Sequence, residues 1–397
     1  MTPGAERARD LGVPAGTPID GVLFDLDGVV YHGPDAIPGA VEGIAGLHDR
    51  GIPVGYVTNN ATRTAEVVAD HISDLGIPTE PNEVIASSQV LAARLGEEYG
   101  TGAKILLIGT TGLSTALTEA GLTIVDSLAD QPVALAQGLD PHIDYAGIVS
   151  AAEAIATGLD WWATNPDYSM VGRASRVPGN GAFVDMLARL TDRQPRIVGK
   201  PSPDVMTHAG QRLGARRPLM VGDRLDTDIE GGNRAGFDTA LVLTGVHDLH
   251  DALTADPIRR PTFILPTLAD LPRVLDAATS RPVGSTAPDG GRKTEAKTQN
   301  RPIDHHLSTA NGDGGSVQAA TMRFPGHSAE ENAPKSPADL GAATSKSRGT
   351  GCGREIDLAE AELSDPAAIE AALRLAWKAI DAGESIEPGN LPRRIDD

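Results

Sequence analysis

"GVLFDLDGVVYHG", residues 21–33, is an apolar run that ends in two aspartates two positions apart. Side chains alternate faces along a strand, so Leu26 points away from Asp25 and Asp27, which share one side. Two carboxylates crowded together repel each other, and one takes up a proton unless a cation lies between them. Gly28 follows at once, where any side chain would obstruct the crevice at the strand end. Taken alone, the stretch also reads as a solvated pair in a turn. The rest of the chain has to decide between the two.

Working outward, strand and helix signals alternate. "GAVEGIAGLHDRG" predicts a helix ending at Gly51, "IPVGYVTNN" a strand, and "RTAEVVADHISDLGI" a second helix. This order predicts an α/β fold with a parallel sheet and helices on both faces. Ligands of such sheets sit outside the carboxyl ends of the strands, where Asp25 and Thr58 both fall. Between 82 and 193 a second α/β unit follows. There "AKILLIG", "IDYAGIVS" and "WWATNPD" read as strands, and "TGLSTALTEAGL" and "GAFVDMLARLTDR" as helices. The first unit resumes at "PRIVGKPSPDVMTHAGQRLG" and "PLMVGDRLDTDIEGGNRAG", with "TALVLTG" and "PTFILPTLADL" behind them.

The expected organisation is an N-terminal lead (1–17), a core in two pieces (18–81 and 194–278), an inserted α/β unit (82–193), a polar Gly/Pro-rich linker expected to be disordered (279–351), and a small C-terminal α/β module (352–397). In that module "REIDLAEAEL" reads as a strand. "DPAAIEAALRLAWKAIDAG" reads as an amphipathic helix, with Asp365 as cap, Pro366 in the first turn and Gly383 at the end. Ile369, Leu373, Trp377 and Ile380 share one face of it, so the module should pack against something.

Composition narrows the function classes. The 397 residues carry a formal net charge of −20, which argues against general binding to nucleic acid or anionic lipid. A small anionic substrate held with a divalent cation remains compatible. The single cysteine, Cys352, allows neither an intrachain disulfide nor a Cys-based zinc site. The first twenty residues lack an apolar core of the signal-peptide kind, and no apolar run approaches a membrane span. The expectation is a soluble cytoplasmic protein.

Three later motifs bear on the paired aspartates. "YVTNN" places Thr58, Asn59 and Asn60 at a second strand end, where hydroxyl and N–H donors could meet an anion or simply form a turn. "VGKPSP" places Lys200 between Gly199 and Pro201, either as a surface lysine or as a point charge for phosphate. "MVGDRLDTDIEGG" ends a third apolar run at Asp223, with Asp226 and Asp228 just behind; these could be the acidic first turn of a helix or a further carboxylate for magnesium. "GTTG" (109–112) reads as an ordinary strand-to-helix turn, and the pair His305 and His306 lies in the linker.

In order and placement, "DLDGVVYHG", "TNN", "GKPSP" and "GDRLDTDI" resemble the haloacid dehalogenase (HAD) superfamily, in particular its IIA branch of NagD-like and 4-nitrophenyl-phosphatase-like enzymes. The resemblance covers about 18–275. "GDRLDTDIEGGNRAG", "LTGV" and "RRPTF" are most similar to the actinobacterial glycerol-3-phosphate phosphatases, which carry a GNAT-like C-terminal extension. The resemblance implies a Rossmann-like core and a large α/β cap inserted between the second and third motifs. It also implies a Mg2+-dependent phosphatase acting on a small phosphorylated metabolite. Asp25 would be the nucleophile and Asp27 the general acid and base. Asp25, the backbone carbonyl of Asp27, and Asp223 would hold Mg2+. Thr58, Asn59, Asn60 and Lys200 would bind phosphate, and Asp228 would orient Lys200 or a metal-bound water. Asn165, Asp167 and Tyr168, in the cap loop after "WWATNPD", are the implied specificity residues. Trp161 and Trp162 read as core or subunit-interface residues. A homodimer through the cap is implied, with glycerol 3-phosphate as favoured substrate. Alternatives are a 5′-nucleotidase, a phosphoglycolate or sugar-phosphate phosphatase, or a catalytically silent phosphate-binding regulator.

Overall fold

Six short strands, each apolar enough to be buried on both faces, form the central sheet of the computed structural model. It describes residues 17–171, 175–280, 354–356, 364–389 and 391–395. The strand order is Phe263–Leu265, Asp238–Val242, Pro218–Gly222, Gly21–Phe24, Val54–Thr58 and Val84–Ala86, and every neighbouring pair is parallel. Gly21–Phe24 pairs with Pro218–Gly222 on one side and with Val54–Thr58 on the other. The chain order therefore reverses at this strand, which opens a crevice beyond its carboxyl end.

The flanking helices carry the signals their sequences announce. Thr64 accepts a hydrogen bond from Val67 N and caps Ala65–Asp74. Ser202 caps Pro203–Leu213, with Pro203 in the first turn and Gly214 at φ 66° behind the last. One apolar layer gathers Phe24, Ile44, Tyr56, Ile72 and Leu265. The opposite layer gathers Leu23, Val57, Leu91 and Met220, and runs on into Ile105, Leu113 and Trp162 of the inserted unit. At about 25 cal/mol per Å2 of apolar area removed from water, each such side chain contributes about 1.5–3 kcal/mol.

The inserted unit is a second parallel sheet, ordered Arg196–Ile197, Asp160–Ala163, Ala134–Gln137, Lys104–Ile108 and Thr123–Val125. Two details differ from the sequence reading. "IDYAGIVS" is not a strand: Tyr145–Ala156 is a helix whose first turn is capped by Asp144, through Gly147 N at 2.8 Å. A short apolar run has no decisive period, and the Ala-rich continuation with its cap favours the helix. The strand there is Ala134–Gln137 instead. Val84–Ala86 pairs with the central sheet and Arg196–Ile197 with the second sheet, so the exchange between units falls a few residues beyond 82 and 193. Trp161 and Trp162 are core residues: Trp161 Nε1 donates to Gln137 Oε1 at 2.9 Å, and Arg196 lies 4.9 Å over the Trp162 ring.

The C-terminal helix Pro366–Asp381 is capped by Asp365 and packs against the edge strand Phe263–Leu265. Ile369, Leu373 and Trp377 are buried with Leu249, Leu253 and Ile264. Glu370 accepts the hydrogen bond of Ile264 N at 2.8 Å, Arg374 donates to Thr262 O at 2.7 Å, and Trp377 Nε1 donates to Ala252 O at 2.9 Å. The helix so covers the backbone edge that an outer strand leaves open. Arg354–Glu355 and Ile386–Glu387 form a two-stranded parallel pair. The helix Leu271–Ser280 takes in the first two residues of the expected linker 279–351; the rest of that linker, the expected strand beyond Ile356, His305, His306 and Cys352 lie outside the described residues. Among the described residues no helix is long and apolar enough to cross a membrane.

Candidate active site

Asp25, Asn59 and Asp223 are the first residues past three adjacent central strands, so the parallel sheet itself brings them to one edge. Asp25 N still donates to Val221 O at 2.9 Å, which fixes the Asp25 backbone in the ladder. Lys200 arrives on the return from the cap. Its backbone N donates to Asn59 Oδ1 at 2.8 Å, and Asn59 Nδ2 donates back to Lys200 O at 3.0 Å. This two-way amide clamp holds Lys200 so that its ammonium pairs with Asp25, with Asp228 at 2.8 Å, and with Val57 O at 3.1 Å. The Lys200–Pro201 peptide is cis.

Lys200 is 2% exposed, Asp223 1% and Asp228 0%. Burial alone would discharge the Lys200 ammonium, but the charges of Asp228 and Asp25 outweigh it and raise its pKa. Burial raises the pKa of Asp223, and the charges of Asp228 and Asp25 raise it further. Asp27 stands at the open mouth of the crevice. There the surrounding protein strips water from its carboxyl and raises its pKa, and the charge of Asp25 adds to the effect.

Asp25, Asp223 and Asp228 each offer an oxygen within 4.8 Å of the others. Asp223 Oδ2 accepts from Val246 N at 2.7 Å, whereas its Oδ1 is buried with no hydrogen-bond partner. A buried, unpartnered carboxylate oxygen in an all-oxygen cluster fits a hard cation of the magnesium kind. Gly28 completes the seat: it holds φ at 87°, and a Cβ there would come 2.6 Å from Asp223 Oδ2. The carboxylate of Asp27 is not in the cluster.

The remaining expected residues divide. Thr58 Oγ1 accepts from Asn60 N at 3.1 Å, which leaves its own O–H to donate to a ligand. Asn60 Oδ1 is taken by Thr62, through its N at 2.9 Å and its hydroxyl at 2.6 Å, so that side chain shapes the turn. In the cap, Asn165 Nδ2 donates to Asn59 O at 2.7 Å, and Asp167 accepts from Asn59 Nδ2 at 3.3 Å. Burial raises the pKa of Asp167, opposed by the charges of Arg224 and Lys200. Tyr168 is 65% exposed and joins none of these contacts. The sequence reading missed two groups. One is Arg224, bound to Asp226 at 2.9 Å and electrostatically coupled to Asp167. The other is the loop from Thr244 to Asp248, whose signal was the strand-end "TG" after "TALVL". "GTTG" also does more than turn: Gly112 N and Thr110 Oγ1 donate to Thr62 O, at 3.3 and 2.9 Å, which ties the cap to the loop after Asn60.

A buried lysine shared by two carboxylates and an all-oxygen cluster at a strand-end crevice fit a HAD-type hydrolase site. The haloacid dehalogenase-like hydrolase family model matches residues 22–123, and a second HAD hydrolase-like model matches 197–271. The D-glycerol 3-phosphate phosphatase of Mycobacterium tuberculosis is 41% identical over 245 residues, which is 62% of this chain and 69% of that protein. The acid sugar phosphatase of Staphylococcus aureus is 39% identical over 231 residues, 58% of this chain and 88% of that one. Among solved structures, the M. tuberculosis glycerol phosphate phosphatase in complex with magnesium superposes with a TM-score of 0.61 at 40% identity, covering 64% of this chain and 77% of that one. NagD from E. coli K-12 superposes with a TM-score of 0.59 at 32% identity, covering 64% and 98%. The chain belongs to the haloacid dehalogenase-like hydrolase family. Within it, the chain is a phosphoric monoester hydrolase of the NagD-like branch.

Proposed function

We propose that this phosphatase uses Mg2+, passes through an aspartyl phosphate on Asp25, and prefers glycerol 3-phosphate. The observation that carries the chemistry is the cluster itself: Asp25 lies against the Lys200 ammonium and within reach of the bare Asp223 oxygen. Asp25, Asp223 and the carbonyl of Asp27 would hold the cation. When bound, it offsets the repulsion between an anionic nucleophile and an anionic substrate.

An oxygen of Asp25 attacks phosphorus while the bond to the leaving alcohol breaks. Asp27, whose pKa is raised by burial and by the charge of Asp25, gives its proton to the departing oxygen. Asp27 then takes a proton from water, which attacks the aspartyl phosphate, releases inorganic phosphate and restores the carboxylate of Asp25. Lys200 and the Thr58 hydroxyl bind the phosphoryl oxygens as charge moves onto them. Asn59 contributes by positioning Lys200, and Asp228 by pairing with it.

The substrate reading rests on the 41% identity to a D-glycerol 3-phosphate phosphatase. The cap residues Asn165 and Asp167 meet the core at Asn59, beside the carboxylate cluster, and are the residues that would face the leaving alcohol. Exposed Tyr145, Val149, Met186 and Leu190 on two neighbouring cap helices support a homodimer through the cap. The single cysteine suits a reducing cytoplasm.

The test is phosphate release from glycerol phosphates, phosphoglycolate, nucleotides and sugar phosphates, with magnesium and with chelator. Glycerol 3-phosphate should show the highest kcat/KM, and Asp25→Asn should abolish release. A sugar phosphate in first place would reassign the substrate, and release that survives Asp25→Asn would remove the mechanism.

A further inference from the structure

We propose that the C-terminal strap, residues 391–394, positions the Asp223 carboxylate, with Arg394 as the positioning residue. This rests on the reading of Asp223 as a cation ligand.

How Asp223 points is decided by the loop behind it. Val246 N donates to Asp223 Oδ2 at 2.7 Å, and His247 N donates to Asp223 O at 3.1 Å. Oδ2 is thereby capped, and Oδ1 is left bare for a cation. The same loop is tied to the nucleophile's turn, because Thr244 Oγ1 donates to Gly28 O at 2.7 Å. At the centre of the loop is Gly245, where a Cβ would collide with the Asp223 side chain. Only glycine fits, and glycine leaves the backbone free to move unless something outside pins it. Val246, beside it, is half exposed.

The pin comes from the far end of the chain. Arg394 donates to Gly245 O at 2.8 Å, across a separation of 149 residues in sequence. Leu249 N donates to Arg393 O at 3.0 Å, Arg393 pairs with Asp248, and the His250 Nε2 position lies 2.8 Å from Leu391 O. Leu391 and Ile395 bracket these contacts and are buried with Leu243, Leu249 and Leu253. The helix Pro366–Asp381, which precedes the strap in the chain, is itself fixed to the core, through Trp377 Nε1 to Ala252 O at 2.9 Å and through Arg260, which grips Asp381 at 2.6 and 2.8 Å. The C-terminal segment is therefore part of the wall that orients Asp223.

The experiment uses the full chain carrying Arg394→Ala or Arg394→Lys. Hydrogen exchange is read on a peptide covering 244–248, and the rate of phosphate release is titrated with magnesium. Groups that orient a metal ligand typically change metal affinity about 10–100-fold. For Arg394→Ala we expect faster exchange at 244–248, unchanged exchange at Gly21–Phe24, and roughly a tenfold higher magnesium concentration for half-maximal rate. KM at saturating magnesium should stay within about twofold, because the groups that touch substrate are intact. Arg394→Lys keeps a donor and should recover most of the loss. Unchanged exchange at 244–248 in Arg394→Ala overturns the proposal, as does an unchanged magnesium requirement. A parent chain that needs no magnesium removes the cation reading instead; exchange at 244–248 and kcat then judge the strap, and unchanged values overturn it.

Discussion

Lys200→Met is the substitution that most directly tests the electrostatics of the site. Methionine fills nearly the same space, so packing is largely kept, but Asp25 and Asp228 lose the ammonium they share. Removing one partner of a buried ion pair costs about 3–5 kcal/mol, because the remaining charge is stranded. Here two carboxylates are stranded, and the carbonyl of Val57 loses its donor as well. In chelator, the unfolding free energy should fall by about 3–5 kcal/mol, a large share of the roughly 5–15 kcal/mol of an ordinary domain. Protonation is the alternative to a partner, so the deficit should shrink as pH falls from 8 towards 5. A bound cation also compensates the stranded charge, so magnesium should stabilise the variant more than the parent. Activity should drop about 10²–10³-fold, as for loss of one charge-stabilising donor. Urea unfolding followed by tryptophan fluorescence, in chelator and in magnesium, gives all three stability readings. A loss below about 1 kcal/mol in chelator, or equal stabilisation of both proteins by magnesium, would refute the shared-ammonium account.

Asp27→Asn should cut release from alkyl phosphates about 10²–10⁴-fold but affect p-nitrophenyl phosphate much less, since a good leaving group needs no proton; an equal loss on both would exclude the general-acid role. Trp377→Ala empties a buried site and leaves Ala252 O without its donor, so urea unfolding should show a loss of about 3–5 kcal/mol. Arg260 lowers the pKa of Asp381 chiefly through their hydrogen bonds. A lowered carboxyl pKa contributes stability that is complete above the unfolded value and is lost as pH falls through the folded one. Helix 366–381 should stay docked at neutral pH and loosen below about pH 4, with Asp381→Asn abolishing that acid dependence in hydrogen exchange.

Much of the site was legible because its chemistry sits at strand ends, and strand ends are visible as apolar runs meeting polar residues. Asp25, Thr58 and Asp223 each follow such a run, and parallel pairing then leaves them little choice but to converge. Lys200 was legible only by its company, and its buried, doubly paired state was not. The misread helix at Tyr145–Ala156 shows the opposite case, where a short apolar stretch carries no decisive period and the cap at Asp144 settles the matter. Asn59 and Asn60 were read as donors to phosphate. The structure adds that the Asn59 side chain bonds the Lys200 backbone and that Asn60 Oδ1 accepts from Thr62, which is a question of which neighbour lies within 3 Å.

By itself the sequence determined the class of fold, the strand that ends at Asp25, the carboxylates that meet there and the insertion of a second α/β unit. These follow from local periodicity and from residue types at element ends, which are properties of neighbours along the chain. The tertiary structure alone decided that Lys200 is shared by Asp25 and Asp228, that one Asp223 oxygen is capped while the other is bare, and that Arg394 reaches Gly245. Those are contacts between segments far apart in sequence. Their geometry is set by how two sheets and a terminal helix pack, and residue spacing does not encode it.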